Sequence, residues 1–171
     1  IIETFGNIDI YLFDQILKNR FSPDMKILDA GCGGGRNLVY FLREGFEVFA
    51  IDQNAEAIAQ IKNLAKHLAP DLPSENFQIS SIEKIPFADE KFDFIISSAV
   101  LHFAESVENF DAMLKEMWRV LKPDGILFTR LASSIGIENL IIPTRNRRYD
   151  LPDGSERFLV DLDFLLAKTN E

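Results

Sequence analysis

Few residues in this chain have the types and spacing that chemistry requires, and the densest group lies between Met25 and Asp52. The run Ile27-Leu28-Asp29-Ala30-Gly31-Cys32-Gly33-Gly34-Gly35 passes from apolar residues through an acid into a stretch with four glycines in five positions. Glycine has no Cβ, so backbone N–H groups there can come close to a ligand. Apolar residues at Leu38, Val39, Phe41 and Leu42 follow at once. The pattern predicts strand, tight turn and helix over about Arg36–Glu44. The free N–H groups and positive dipole end of that helix suit the polar part of a nucleotide-like ligand. Two ligand classes use such a corner. A dinucleotide site wants Gly-x-Gly-x-x-Gly or Ala; Gly31 and Gly33 fit, but Arg36 stands at the third position. Asp29 would repel a pyrophosphate if it faced one, and would suit a cationic head such as an amino-acid ammonium. A Gly-rich turn with no ligand is the third reading.

A second acid, Asp52, ends the apolar run Val48-Phe49-Ala50-Ile51. It follows Gly31 at close to the spacing at which an acid meets a pair of ribose hydroxyls. Those hydroxyls are donors, and one carboxylate accepts both. Gln53 stands next to it, where it could flank a nucleobase. His102 is the nearest candidate general base, set against a packing or capping role. Cys32 reads as a small buried residue within the loop. One cysteine and two histidines give no zinc spacing, so no metal is expected. Arg145, Arg147, Arg148 and Tyr149 form a basic, aromatic cluster in a chain of net charge −9. They are either a solvated loop or a gate that recruits an anionic or aromatic acceptor. Tyr11 is the polar aromatic of the N-terminal region that could reach a ligand.

The elements that must hold these residues alternate. Ile10, Phe13, Leu17 and Phe21 fall near helical spacing, predicting an amphipathic helix from about Ile8 to Arg20. Strands are expected at Met25–Asp29, Glu47–Asp52, around Phe77 and Ile79, at Phe92–Ser98 and at Gly125–Arg130. Helices are expected after Asn54, a good N-cap, and from Phe110 to Leu121, with Met113, Met117 and Trp118 as core residues. His67 lies off its helix's apolar face and reads as exposed. Strand–helix alternation means an α/β fold: a doubly wound, mostly parallel Rossmann-like sheet with helices on both faces. Its crevice lies at the carboxyl ends of the strands, so Asp29, Gly31, Asp52, Ser81 and Ser97 are expected on that rim. Beyond Arg130 the pattern weakens; Arg157–Val160 is the one candidate strand and Leu162–Lys168 a short helix.

Composition sets bounds. The 171 residues suggest a single domain, 1–171, divided into a helical cover (1–24), a cofactor-binding core (25–130) and a substrate-side segment (131–171). The charge of −9 argues against a partner built of nucleic-acid phosphates. No apolar run approaches the ~20 residues of a membrane span. A lone cysteine cannot form an internal disulfide, which points to a reducing cytoplasm. The chain opens on Ile1 rather than Met, so residues are expected to precede it.

The stretch Ile27–Gly35 closely resembles motif I of the class I S-adenosylmethionine (SAM) methyltransferases. Further segments follow that family's pattern in order: Asp52, Ile85-Pro86-Phe87 before Phe92-Asp93-Phe94-Ile95-Ile96, Val100-Leu101-His102, and Leu121-Lys122-Pro123-Asp124-Gly125. The resemblance covers about residues 25–130. It implies SAM as cofactor and S-adenosylhomocysteine (SAH) as product, with the Gly loop holding the methionine part and Asp52 the ribose. Ile82 would pack on the adenine and offer its N–H, and Ser97 would contact the amino-acid end. The family often has Asp where Ser81 stands; serine accepts more weakly. The family sheet also ends in an antiparallel hairpin, of which one strand is visible here, so the chain is expected to be cut short or to lack the last strand. Gly35-Arg36-Asn37 is similar to tellurite-resistance and thiopurine-type small-molecule methyltransferases. The leading expectation is a methyltransferase acting on a small-molecule acceptor. A non-catalytic SAM-binding module or partner subunit and a nicotinamide-dependent oxidoreductase are the alternatives.

Overall fold

The computed structural model describes residues 2–169. Five strands form the main sheet: β1 (Lys26–Ala30), β2 (Glu47–Asp52), β3 (Phe77–Ile79), β4 (Phe92–Ser98) and β5 (Leu121–Arg130). All neighbours are parallel, in the order β3-β2-β1-β4-β5. The order reverses between β1 and β4, so the connections leave β1 in two directions and open a crevice at the carboxyl ends there.

The central strands are apolar on both faces because both are covered. Alternate residues of β1 go to opposite cores. Ile27 packs with Val48, Ala50, Phe94 and Ile96 under α2 (Ile10–Leu17), α3 (Val39–Arg43) and α4 (Ala55–Leu68). Leu28 packs with Phe49, Ile51 and Ile95 under α5 (Val107–Val120), beside Phe110, Met113 and Met117. Phe41 is fully buried, and truncating such a side chain costs about 3–5 kcal/mol. Trp118 departs from expectation: it is 51% exposed, on the solvent side of α5, while Met113 and Met117 are core. His67 is exposed, as expected.

Element ends are set by local chemistry. The first amphipathic helix is shorter than the apolar spacing suggests. Asp9 caps it, its side chain accepting from the Tyr11 N–H, and Asn19 turns left-handed (φ +54°) just past its end. A short helix, α1 (Ile2–Phe5), precedes it. Helix α3 begins at Val39 rather than Arg36, because residues 35–38 form tight turns, Gly35 N–H to Cys32 O and Leu38 N–H to Gly35 O. It has five residues and no side-chain cap, so the expected dipole corner directly after the glycines does not form. Strand β5 starts earlier than expected. Leu121 pairs with Phe92, Lys122–Gly125 bulge out with Asp124 at φ +62°, and pairing resumes at Ile126 opposite Phe94.

The C-terminal part holds more structure than the sequence promised. Strands β6 (Ile142–Pro143), β7 (Arg148–Asp150) and β8 (Glu156–Phe158) form a separate antiparallel sheet. Helix α6 (Leu162–Thr169) follows, and Phe158 and Phe164 pack on Phe110 of α5. This small sheet does not extend the main one, so β5 remains its edge. Arg145 to Arg148 is a hairpin turn. The Arg148 N–H donates to Arg145 O at 2.7 Å, and Asn146 and Arg147 both have positive φ, as a two-residue hairpin loop of the primed kind requires.

Candidate cofactor crevice and adjoining cavity

The Gly loop lies between β1 and α3 and is fixed from three sides. Gly31 N–H and Cys32 N–H both donate to Ile51 O of β2. A Cβ on Gly31 would lie 2.6 Å from Val100, just past β4, and one on Gly35 would lie 2.3 Å from Ile61 of α4. Those two glycines are demanded by packing as well as by positive φ. Gly33 differs: its φ is +51°, but a Cβ there would meet nothing within 4 Å. Its outer side is open.

Asp52 ties this loop to the end of β2. Its Oδ2 accepts the Gly33 N–H and its Oδ1 the Asn54 N–H, each at 2.9 Å. Each oxygen keeps a second lone pair, and Asp52 lines a cavity of about 470 Å³. Gly31, Gly33, Gln53, Ser81 and Ile82 line it too, as the sequence led one to expect. The sequence did not flag Ser80, Glu83, Ala99, Val100, Phe103, Glu105, Asn109 and Met113, which complete the wall. One signal for this part was present. Ser106 caps α5 by accepting from the Asn109 N–H, a Ser-x-x-Asn pattern akin to a capping box. The Asn109 side chain then accepts from Glu105 N–H at 3.1 Å and donates to Glu83 at 2.7 Å.

Three expected site residues lie behind this wall rather than in it. Asp29, Cys32 and Ser97 are buried and do not line the cavity: Asp29 lies within β1 and Ser97 within β4, and Cys32, in the Gly loop itself, packs into the core with Leu38, Ile58 and Ile61. Both carboxylate oxygens of Asp29 and the Ser97 hydroxyl are buried without a hydrogen-bond partner. Burial pushes the Asp29 carboxyl up to about 7; the Arg36 charge opposes this and the Asp52 charge adds to it. Burial also pushes the Cys32 thiol well above its ordinary range, and its Sγ donates to Gly33 O at 3.3 Å, so it packs rather than reacts.

The remaining candidates separate. His102 is half-buried against Phe103 and lines no described cavity. Burial first, then Arg157 and Arg130, push its imidazole down to about 4. It is neutral at pH 7, a weak base. Tyr11 is 64% exposed and faces no described cavity. Arg145, Asn146 and Arg148, with Glu105, Ser106 and Glu156, line a second cavity of about 520 Å³. Phe103, Glu105 and Asn109 belong to both cavities. Arg148 pairs with Glu156 and donates to Ala104 O at 2.7 Å, bolting the hairpin to the segment after β4. Arg147 pairs with Asp161 and lies over the Phe164 ring, away from the cavity. Tyr149 pairs with Arg157 across β7 and β8. Among the described residues Arg145 makes no hydrogen bond through its side chain and no ion pair. The basic cluster is therefore a hairpin held by Arg147 and Arg148, while the Arg145 charge acts on Glu156 without an ion pair.

A parallel sheet of this order, with a Gly loop after β1 and an acid ending β2, defines a nucleoside-binding α/β domain. Residues 28–129 match the methyltransferase domain family, and the chain belongs to that family. Malonyl-[acyl-carrier protein] O-methyltransferase of Enterobacter lignolyticus (strain SCF1) is 31% identical over 109 residues, 63% of this chain and 39% of that protein. A SAM-dependent methyltransferase of Methanosarcina mazei is 25% identical with a TM-score of 0.69, over 88% of this chain and 80% of that one. A protein of Pyrococcus horikoshii OT3 has the same fold, with a TM-score of 0.73 at 22% identity, over 94% of this chain and 79% of that one. The chain spans about half or less of the length of the first curated relatives it matches. The Methanosarcina mazei protein is SAM-dependent by name, and the geometry of this site suits that cofactor. The free lone pairs of Asp52 suit two ribose hydroxyls, Gly33 is open on its outer side, and Asp29 and Ser97 keep unpartnered polar atoms within β1 and β4.

Proposed function

We propose that this domain transfers a methyl group from SAM to a small polar molecule held in the second cavity. The observation that carries this reading is the shared wall: Phe103, Glu105 and Asn109 face both spaces, so donor and acceptor would meet across three side chains. When bound, the cofactor supplies a methyl group already activated on a sulfonium. The chain's own part is to hold and orient, and orientation alone removes much of the barrier of a two-reactant step. Asp52 would hold the ribose, Gln53 and Ile82 would flank the adenine, and Ser81 would accept from its amino group. Gly31, Cys32 and Gly33 would carry the methionine part over Asp29 and Ser97. Arg145 would draw an anionic group of the acceptor. Arg148 shapes that cavity, while Arg147 and Tyr149 hold the hairpin in place. Tyr11 and His102 have no part in this reading.

In the same reading residues 1–24 form a cover, 25–130 the cofactor core and 131–171 the acceptor side. The charge of −9 disfavours nucleic acid as the acceptor, and a single buried thiol suits a reducing cytoplasm. No helix among the described residues is long and apolar enough to cross a membrane. The test is a pair of measurements. Calorimetry should give heat with SAM and SAH but none with NAD. A screen of small acceptors with methyl-labelled SAM should then give a labelled product. NAD binding without SAM binding would overturn the whole reading; SAM binding without transfer to any acceptor would leave a binding module.

A further inference from the structure

Asp9 is buried, at 4% exposure, and all of its polar atoms are engaged. Its N–H donates to Asn37 Oδ1 at 3.0 Å. Its C=O accepts from the Phe13 N–H and its Oδ1 from the Tyr11 N–H, which starts α2. Its Oδ2 accepts from the Ser98 hydroxyl at 3.0 Å and pairs with Arg130, with Arg36 at 3.8 Å. Arg36 also donates to Asn7 O at 3.4 Å. One carboxylate of the N-terminal segment therefore joins three places: the residues just after the Gly loop, the end of β4 and the end of β5. Capping a helix needs only one of its oxygens; the other is spent on the strand ends.

The turn after β4 is strained, and it belongs to the crevice wall. Ala99 has φ +65°, a backbone region that L side chains rarely adopt. Such a conformation persists only where the surroundings over-determine it. The Ala99 N–H donates to Arg130 O at 2.7 Å. Ala99 is thus held between Ser98 and Arg130, the two residues whose side chains reach Asp9 from the strand ends. Ala99 and Val100 line the cofactor cavity, and Val100 stands so close to Gly31 that a Cβ on that glycine would lie 2.6 Å from it.

We propose that Asp9 is a positioning residue for the cofactor crevice: it holds Ser98 and Arg130 so that the Ala99–Val100 turn stands against the Gly loop, which makes docking of the N-terminal segment a condition of tight cofactor binding. Asp9 lines neither cavity, so it acts through the wall and not on the ligand. This role rests on the cofactor reading above, and neither the Gly motif nor the ribose acid supplies it. Coupling of this kind is reciprocal: the factor that Asp9 adds to cofactor affinity is the factor by which the cofactor tightens docking of the segment.

Calorimetric titration of SAM and SAH tests this on the wild type, Asp9→Asn, Ser98→Ala and Val120→Ala. Asparagine still caps α2 but gives up the charge that holds Arg130 and Arg36. Ser98→Ala removes one contact on the wall side and leaves the cap and both arginines alone. Val120 is fully buried and lines neither cavity, so Val120→Ala lowers the unfolding temperature without touching the wall. Asp9→Asn should weaken SAM and SAH alike by about 5- to 20-fold, and Ser98→Ala should weaken both in the same sense by a smaller factor. Val120→Ala should leave both constants unchanged. Hydrogen–deuterium exchange supplies the reciprocal readout: saturating SAH should slow exchange of the α2 amides in the wild type at least about 5-fold, and this protection should shrink in Asp9→Asn. Wild-type affinity in both Asp9→Asn and Ser98→Ala, or no effect of SAH on α2 in the wild type, would overturn the proposal. An equal loss of affinity in Val120→Ala would make the effect one of stability and overturn it too. Heat with neither ligand in the wild type would overturn the cofactor reading and this inference with it, a result distinct from unchanged binding in the variants.

Discussion

The Gly33 N–H donates to Asp52 Oδ2 at 2.9 Å, so the loop after the first strand and the end of the second are one hydrogen-bonded unit. The Asn54 N–H takes the other oxygen and starts α4 from the same carboxylate. Asp52→Ala therefore removes the proposed ribose contact and loosens the loop that would carry the methionine part. Hydrogen bonds to a charged acceptor contribute about 1.5–3 kcal/mol each, so the SAM dissociation constant should rise at least about tenfold. The far-ultraviolet circular dichroism should stay unchanged. An unaltered constant in a folded variant would exclude the ribose role.

Gly33 and Gly35 should respond differently to alanine. Both have positive φ, +51° and +83°. At Gly33 the added methyl meets nothing, so the cost is the left-handed backbone alone, about 1–2 kcal/mol. At Gly35 the methyl would lie 2.3 Å from Ile61 Cδ1 in the core under α4, so overpacking adds about 1–3 kcal/mol to that strain. Urea unfolding of the two variants should rank Gly35→Ala as the less stable; equal midpoints would mean that Ile61 simply moves aside.

Asp29 makes stability depend on pH. Its folded value of about 7 lies above the unfolded value of about 3.9. Between these the unfolded chain releases the proton and the folded chain keeps it, so stability is fully present below about pH 4 and is lost as pH rises to about 7. Asp29→Asn removes this loss. At pH 8 the free variant should be more stable than wild type by on the order of 2–4 kcal/mol, and near pH 4 the two should be alike. Thermal unfolding across that range reads the difference; a pH-independent offset would mean that Asp29 does not titrate in this window.

The arginines of the hairpin should separate by function. Arg148→Ala breaks the pair with Glu156 and the bond to Ala104 O and should cost about 1–3 kcal/mol of stability. Arg145→Ala touches no such contact and should lie within about 0.5 kcal/mol of wild type. With a labelled acceptor in hand, Arg145→Ala should raise KM and spare both kcat and SAM affinity, the pattern of lost uniform binding. Unchanged KM would return Arg145 to the solvent.

The near-continuous apolar runs of β1, β2 and β4 and the alternation of strands with helices were legible in the sequence, because burial on both faces leaves no polar position to interrupt a run. The Gly loop and Asp52 were legible for a related reason: a turn needing positive φ at Gly31, Gly33 and Gly35 can be read from composition alone. Trp118 misled because a large apolar residue at helical spacing looks like core, and only the packing of neighbours decides which face of α5 is covered.

By itself, then, the sequence determined the local order of elements and the place of the Gly turn and of the acid ending β2, where backbone conformation and period dictate residue type within a few positions. The tertiary structure alone decided the rest. It buried Asp29 and Ser97 within the sheet instead of leaving them on the rim, because β1 and β4 are inner strands of the sheet, paired on both edges. It brought Glu83, Glu105 and Asn109 together from β3–β4, β4–α5 and α5, and bolted the Arg145–Arg148 turn beside them through Arg148 and Ala104 O. Side chains from separate segments carry no shared spacing, so nothing in the linear order marks a wall that exists only after the chain has folded.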